Sequence, residues 1–130
     1  MAVRGALAAG LQTPIKFVIN WGRSVLETRS PSTPVQHIQA VGDLLGGLTF
    51  CGCSGEDTPY GVWQDTHMAH DAFAPGSLLG DAAIGEAVRA VKGNVWLGSK
   101  AALRGESVEL SQRVAVHEDL LKRLKRAAGY

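Results

Sequence analysis

The sequence predicts a mixed α+β fold: a short parallel β-helix segment flanked by N-terminal and C-terminal α-helices. Three observations predict it. Two amphipathic stretches precede residue 50, a third closes the chain, and residues 71–117 are too rich in glycine for a helix. Gly76, Gly80, Gly85, Gly93, Gly98 and Gly105 punctuate that middle stretch. Each glycine inside a helix costs about 1 kcal/mol relative to alanine, whereas tight turns use its positive φ. Leu79, Ile84, Val88, Val95, Leu103 and Val108 stand singly beside or between those glycines. An apolar residue at each turn of a coil, with Gly beside it, is the pattern of a parallel β-helix. On periodicity alone, loops and broken helices are an equal alternative.

At 130 residues the chain is long enough for one domain. A hydrophobic content of 45% supports a folded core. With three Phe, three Trp and two Tyr against 16 Gly and five Pro, that core is thin, and a partner surface is expected. The net charge of +1 argues against nucleic acid as a partner of the whole chain. No apolar run approaches the roughly 18 to 20 residues that span a bilayer.

In order, residues 1–50 read as an N-terminal helical arm. The segment out to Val25 is poor in acidic residues, carries Arg4, Lys16 and Arg23, and resembles a mitochondrial targeting segment. An ordinary surface helix with a basic face is the alternative. Pro14 to Thr28 is predicted as a helix, with Thr13 as cap and Pro14 in the first turn. Ile15, Phe17, Val18, Ile19, Trp21 and Leu26 give it a broad apolar face. Such a face packs against the domain or lies on a membrane or membrane protein. Phe17, Trp21 and Arg23 are the candidate partner-facing or membrane-facing residues.

Residues 29–34 break the chain, and Thr33, Pro34 and Gln36 predict the start of a second helix with a capping box. Val35, Ile38, Val41, Leu44, Leu45 and Leu48 follow helical spacing, and Gly46-Gly47 is the expected stop. His37 sits beside that face as a polar residue. Residues 51–70 read as a loop. Cys51 and Cys53 are expected as free thiols. With His67 and His70 they also form a nominal Cys2His2 set that could hold zinc tetrahedrally, although the spacing matches no standard finger. Residues 71–117 are the predicted coils. Residues 118–130 read as a basic helix, with Leu120, Leu121 and Leu124 as its stripe. That helix could instead begin near Ser107, because Leu110, Val114, His117, Leu121 and Leu124 keep helical spacing, whereas Val108, Leu110, Val114 and Val116 alternate as in strands.

The glycine-rich stretch carries a resemblance. Asp71, Phe73, Ala74, Pro75, Ser77, Gly80, Asp81, Ile84 and Gly85 resemble the opening run of the γ-class carbonic anhydrases. Val95-Trp96-Leu97-Gly98 and, two residues late, Leu103-Arg104-Gly105-Glu106 resemble the family's next motif; residues 109–117 resemble the one after it. The resemblance implies a left-handed β-helix. It implies that His117 stands at the first zinc-ligand position and that Arg104, Glu106 and Gln112 stand at or beside structural family positions. The coils that carry the remaining zinc ligands find no counterpart here, so no cofactor is expected, with zinc the one possible exception. The resemblance also implies a non-catalytic, shortened subunit of the carbonic-anhydrase-like module of mitochondrial respiratory complex I. Its partners would be γ-carbonic-anhydrase-like subunits and other subunits of a large membrane complex, on the matrix side of the inner membrane. The alternatives are an active carbonic anhydrase sharing a zinc site with its neighbours, a hexapeptide-repeat acyltransferase, or a helical adaptor in which the glycine motif is coincidence. The short coils would leave open strand edges, so the isolated chain is expected to aggregate.

Overall fold

The computed structural model describes Gly10 and residues 15–130. Most of the targeting-like segment, including the Thr13 cap and Pro14, lies outside the described residues. The chain runs as strand β1 (Phe17–Asn20), helix α1 (Trp21–Thr28), helix α2 (Thr33–Val41), a short 3-10 turn (Gly42–Leu44) and strand β2 (Leu45–Phe50). A long connection then leads to helix α3 (Asp81–Ala90), strand β3 (Trp96–Ser99) and helix α4 (Leu110–Ala127). The three strands form one parallel sheet in the order β1-β2-β3. Ile19 stands opposite Leu48, and Leu48 opposite Leu97.

The predicted left-handed β-helix is absent: the described residues form a mixed α/β fold with a small parallel sheet and four helices. The glycines that suggested coils serve unrelated elements. Gly76 turns a loop at φ 90°, Gly85 lies inside α3, and Gly98 lies in β3. In α3, Ala82, Ala83, Ala87 and Ala90 supply helix propensity that outweighs one glycine. Only residues 96–99 of the predicted coil stretch form a strand.

The N-terminal arm needed two corrections of the same kind. Residues predicted as the first helix begin as β1, because Phe17-Val18-Ile19 is an aromatic and β-branched run that pairs with β2. Asn20 then starts α1 as its cap, its Oδ1 accepting from the Arg23 backbone N–H at 3.3 Å. The second predicted helix stops at Gly42, whose φ is 58°. Leu45 and Leu48, predicted to continue it, lie in β2. Gly46-Gly47 is the middle of that strand, and a Cβ at Gly47 would overlap the Trp96 indole. Ser32 rather than Thr33 stands at the start of α2, without a side-chain cap. The C-terminal helix begins near the earlier of its two expected starts. Glu109 and Gln112 close a reciprocal capping box there.

Helix α1 contacts β1 and β2, α2 contacts β1, α4 contacts β3, and α3 touches both α2 and α4. The core on this side of the sheet joins Ile19, Leu48 and Phe50 to Val25, Ile38, Ile84, Leu120 and Leu124. Side chains alternate across a strand, so Val18 and Trp96 belong to the opposite face. Each is 54% exposed.

Candidate functional site

Parallel strands send their carboxyl ends to the same edge, and in α/β folds ligands bind at that edge. Here that edge is covered by the 30-residue connection 51–80. Connections of this length without regular structure commonly carry function. The connection is tied down by its backbone. Met68 bridges Gly52 on one side and Ala102 on the other, through Gly52 N–H to Met68 O at 2.6 Å and Ala102 N–H to His67 O at 2.7 Å. Leu78 N–H reaches Cys53 O at 2.9 Å, and Lys100 N–H reaches Phe50 O at 2.8 Å. Trp63 and His67 hold left-handed backbones at φ 51° and 53°, conformations uncommon for residues with a Cβ.

A polar cluster gathers at the strand ends. Asn20 ends β1, Cys51 follows β2, and Lys100 follows β3. Asp65 comes from the long connection, and Arg23 from the first turn of α1. Cys51 Sγ–H donates to Asn20 Oδ1 at 3.3 Å. Arg23 Nη1 pairs with Asp65 Oδ2 at 3.2 Å. Burial pushes the Cys51 thiol up to about 11, with the Asp65 charge adding to the rise, while Lys100 and the Asn20 bond pull it down. Lys100 stands beside Cys51 through its backbone, its N–H bonded to the O of the preceding Phe50. Gly22 lets these parts meet, since a Cβ there would lie 2.8 Å from Cys51 O. Arg23, Asp65 and Lys100 face solvent, whereas Cys51 is buried.

A second polar cluster runs from the core at His70 out to partly exposed Asp119, Asp71 and Asp81. His70 is fully buried, and its Nε2–H donates to Asp119 Oδ2 at 2.7 Å. Arg123 Nε donates to the same oxygen at 2.8 Å, and its Nη1 reaches Asp81 Oδ1 at 2.9 Å and Asp71 Oδ1 at 3.5 Å. This network links the long connection, the start of α3 and the middle of α4. The hydrogen bond from His70 does most to hold the Asp119 carboxyl below its ordinary range; burial opposes it, and the hydrogen bond and charge of Arg123 add to the lowering. Among the described residues His70 Nδ1 finds no hydrogen-bond partner, and the ring lies 5.3 Å from that of Phe73.

The residues singled out from the sequence fall in several places. Cys51, Cys53, His67 and His70 do not converge as zinc ligands. Cys51 binds Asn20, His70 binds Asp119, and among the described residues no three His, Cys, Asp or Glu side chains group so as to hold a metal. Both cysteines are free and buried, and burial raises Cys53 to about 12. His117 lies on α4, its Nδ1 bonded to Ser99 Oγ at 2.7 Å. Arg104 is exposed and donates its backbone N–H to Tyr60 Oη at 3.2 Å. Glu106 lies in the exposed turn before α4, and Gln112 caps that helix. Trp21, expected on an outward face, is 1% exposed and belongs to the core. Phe17 is half-buried, and Arg23 is exposed.

Asn20, Asp65, Lys100, Asp119 and Arg123 were not singled out from the sequence. Asn20 carried one usable signal, a helix-capping residue directly after a β-branched pair. The others come together only through the fold.

Fold and site together define a mixed α/β protein whose small parallel sheet carries a polar cluster at its strand ends. The chain belongs to the family described as a domain of unknown function, DUF4862, whose model matches residues 3–116. It is 32% identical over 117 residues to an uncharacterized protein of Salmonella typhimurium, STM3670. That match takes in 87% of this chain and 37% of the relative, so the chain spans well under half of the relative's length. No solved structure matches. This family replaces the γ-carbonic anhydrase resemblance and the complex I assignment attached to it. The mitochondrial placement falls as well, because the relative is bacterial and bacteria have no mitochondria. Among the described residues, no helix is long and apolar enough to cross a membrane.

Proposed function

We propose that the strand-end cluster binds a small hydroxylated carboxylate. The observation that carries this reading is the placement of Asn20 and Arg23, Asp65, and Lys100, from three stretches of the chain, at the carboxyl edge of the parallel sheet. Two cations against one carboxylate favour an anion. Lys100 supplies a mobile ammonium for the ligand carboxylate. Asp65 and Asn20 offer acceptors to ligand hydroxyls, and Arg23, held by Asp65, offers further donors. Cys51 forms the floor. At neutral pH its thiol is protonated, so it acts as a small weakly polar wall rather than as a nucleophile.

The test is calorimetric titration of the purified chain with D-gluconate, with the neutral polyol D-glucitol as control. Gluconate is expected to bind and glucitol to bind more weakly. Lys100→Ala is expected to weaken gluconate binding by about tenfold, the scale of one charge-assisted hydrogen bond. Equal behaviour of the two ligands, or a Lys100→Ala chain that binds as the parent does, would overturn the reading.

A further inference from the structure

The sheet has two unlike faces. One carries Ile19, Leu48 and Phe50 under the helices. The other carries Val18 and Trp96, each 54% exposed, with Thr49 half-buried and Gly47 lying under the Trp96 indole. Parallel sheets are found with both faces covered. A doubly wound sheet achieves this with helices on both sides. A (β/α) barrel achieves it with helices outside and the sheet curled onto itself, so that the inner faces of distant strands fill the middle. Here the strands stand side by side in chain order, all parallel, with the helices on one face. That is an arc of a barrel.

The edges agree. Among the described residues, β1 and β3 each pair on one side only. Beside β1, a groove of about 420 Å³ runs between the strand, α1 and α2, past Val18, Glu27 and Val41. Beside β3, a smaller groove of about 250 Å³ runs between Leu97 and the α4 residues Leu121 and Leu124, and Tyr130 at its end is 91% exposed. A further strand on each edge and a further helix in each groove would continue the pattern already present.

We propose that the face carrying Val18 and Trp96 is the inside of a (β/α) barrel and that its cover is the remainder of a full-length family chain. The argument for this occupant is length. The Salmonella relative matches this chain over 37% of its own sequence, which leaves the larger part to supply further strand–helix units. Val18 and Trp96 then point into the barrel, where apolar side chains from other strands bury them. The polar strand ends form one sector of the barrel rim.

The experiment replaces the matched stretch of the Salmonella protein with this chain and reads acrylamide quenching of Trp96. The Trp96 signal is the difference between each protein and its Trp96→Phe variant, which removes the contributions of Trp21 and Trp63. Trp96 is expected to be strongly quenched in the isolated chain and shielded several-fold in the chimera. Equal quenching in both would overturn the proposal, as would a chimera that fails to fold where the parent Salmonella protein folds. A homodimer of the isolated chain in which Trp96 is shielded would overturn it too, by making a second copy the cover. Val18→Lys gives a separate reading on the isolated chain. Its melting temperature is expected to stay unchanged while solubility rises; a marked fall would show that Val18 is already packed and sink the proposal.

Discussion

The two polar clusters of this protein use the same kinds of side chain to different ends. Around His70, a fully buried imidazole is tied to Asp119, and Arg123 joins Asp119 to Asp81 at partly exposed positions. Around Asn20, Arg23, Asp65 and Lys100, they stand at the carboxyl edge of the sheet and face water. The buried imidazole of His70 sets the first cluster apart. A fully buried imidazole must keep its partner, because an unsatisfied buried polar group loses about 1–3 kcal/mol. An exposed pair such as Arg23–Asp65, with side chains 71% and 36% exposed, contributes little to stability and stays available to a ligand.

The comparison can be broken at several points. The largest effect is expected at His70. His70→Ala removes the bond to Asp119 and the packing against Phe73, and a loss of about 3 kcal/mol in urea unfolding is expected. A loss below about 1 kcal/mol would mean that the inner cluster does not hold the fold together. Asp119→Asn comes next, with an expected loss of about 1–2 kcal/mol at pH 7. Its sign against pH can be stated. The folded-state pKa of Asp119 lies below the ordinary 3.8, so the unfolded state binds its proton first. The Asp119 contribution is therefore complete above that value and is lost as pH falls below it. Asp119→Asn should flatten this part of the acid limb, and an unchanged limb would contradict the assignment.

The thiols sharpen the floor of the outer cluster. With Cys51 at about 11 and Cys53 at about 12, neither should react appreciably with a thiol reagent at pH 8 in the folded chain. Both should react once urea unfolds it, and rapid labelling of the native protein would contradict the burial. The smallest stability effect is expected at the rim. Arg23→Ala and Lys100→Ala should each shift stability by no more than about 0.5 kcal/mol. A larger loss at either would make the outer cluster a second structural network and weaken its role as a ligand site.

Local chemistry was read correctly from the sequence where it sufficed to set the structure. The C-terminal helix from residue 118 onward is visible in the stripe of Leu120, Leu121 and Leu124 and in its basic last turn, whereas residues 110–117, expected as the last coil, form its first turns. The helix beginning at Thr33–Pro34 is visible from its proline and its Ile38 and Val41 spacing. Cys51 and Cys53, expected as free thiols, are unpaired. Short apolar runs were not legible in the same way. Phe17-Val18-Ile19 and Leu44-Leu45 with Leu48 fit a helix face and a buried parallel strand alike, because a strand buried beside other strands loses the alternation that would mark it. The glycines of 71–117 misled for a related reason: a turn, a helix interior and a close approach to an indole each admit glycine, and only the fold tells them apart.

By itself, then, the sequence determined the helix beginning near Thr33 and the helical tail from residue 118, since these depend on residues within a few positions of one another. The tertiary structure alone decided the parallel sheet and both polar clusters. His70 meets Asp119 across 49 positions, and Arg23 meets Asp65 across 42. Contacts that distant are set by strand pairing and helix packing, and no local pattern in the chain records them.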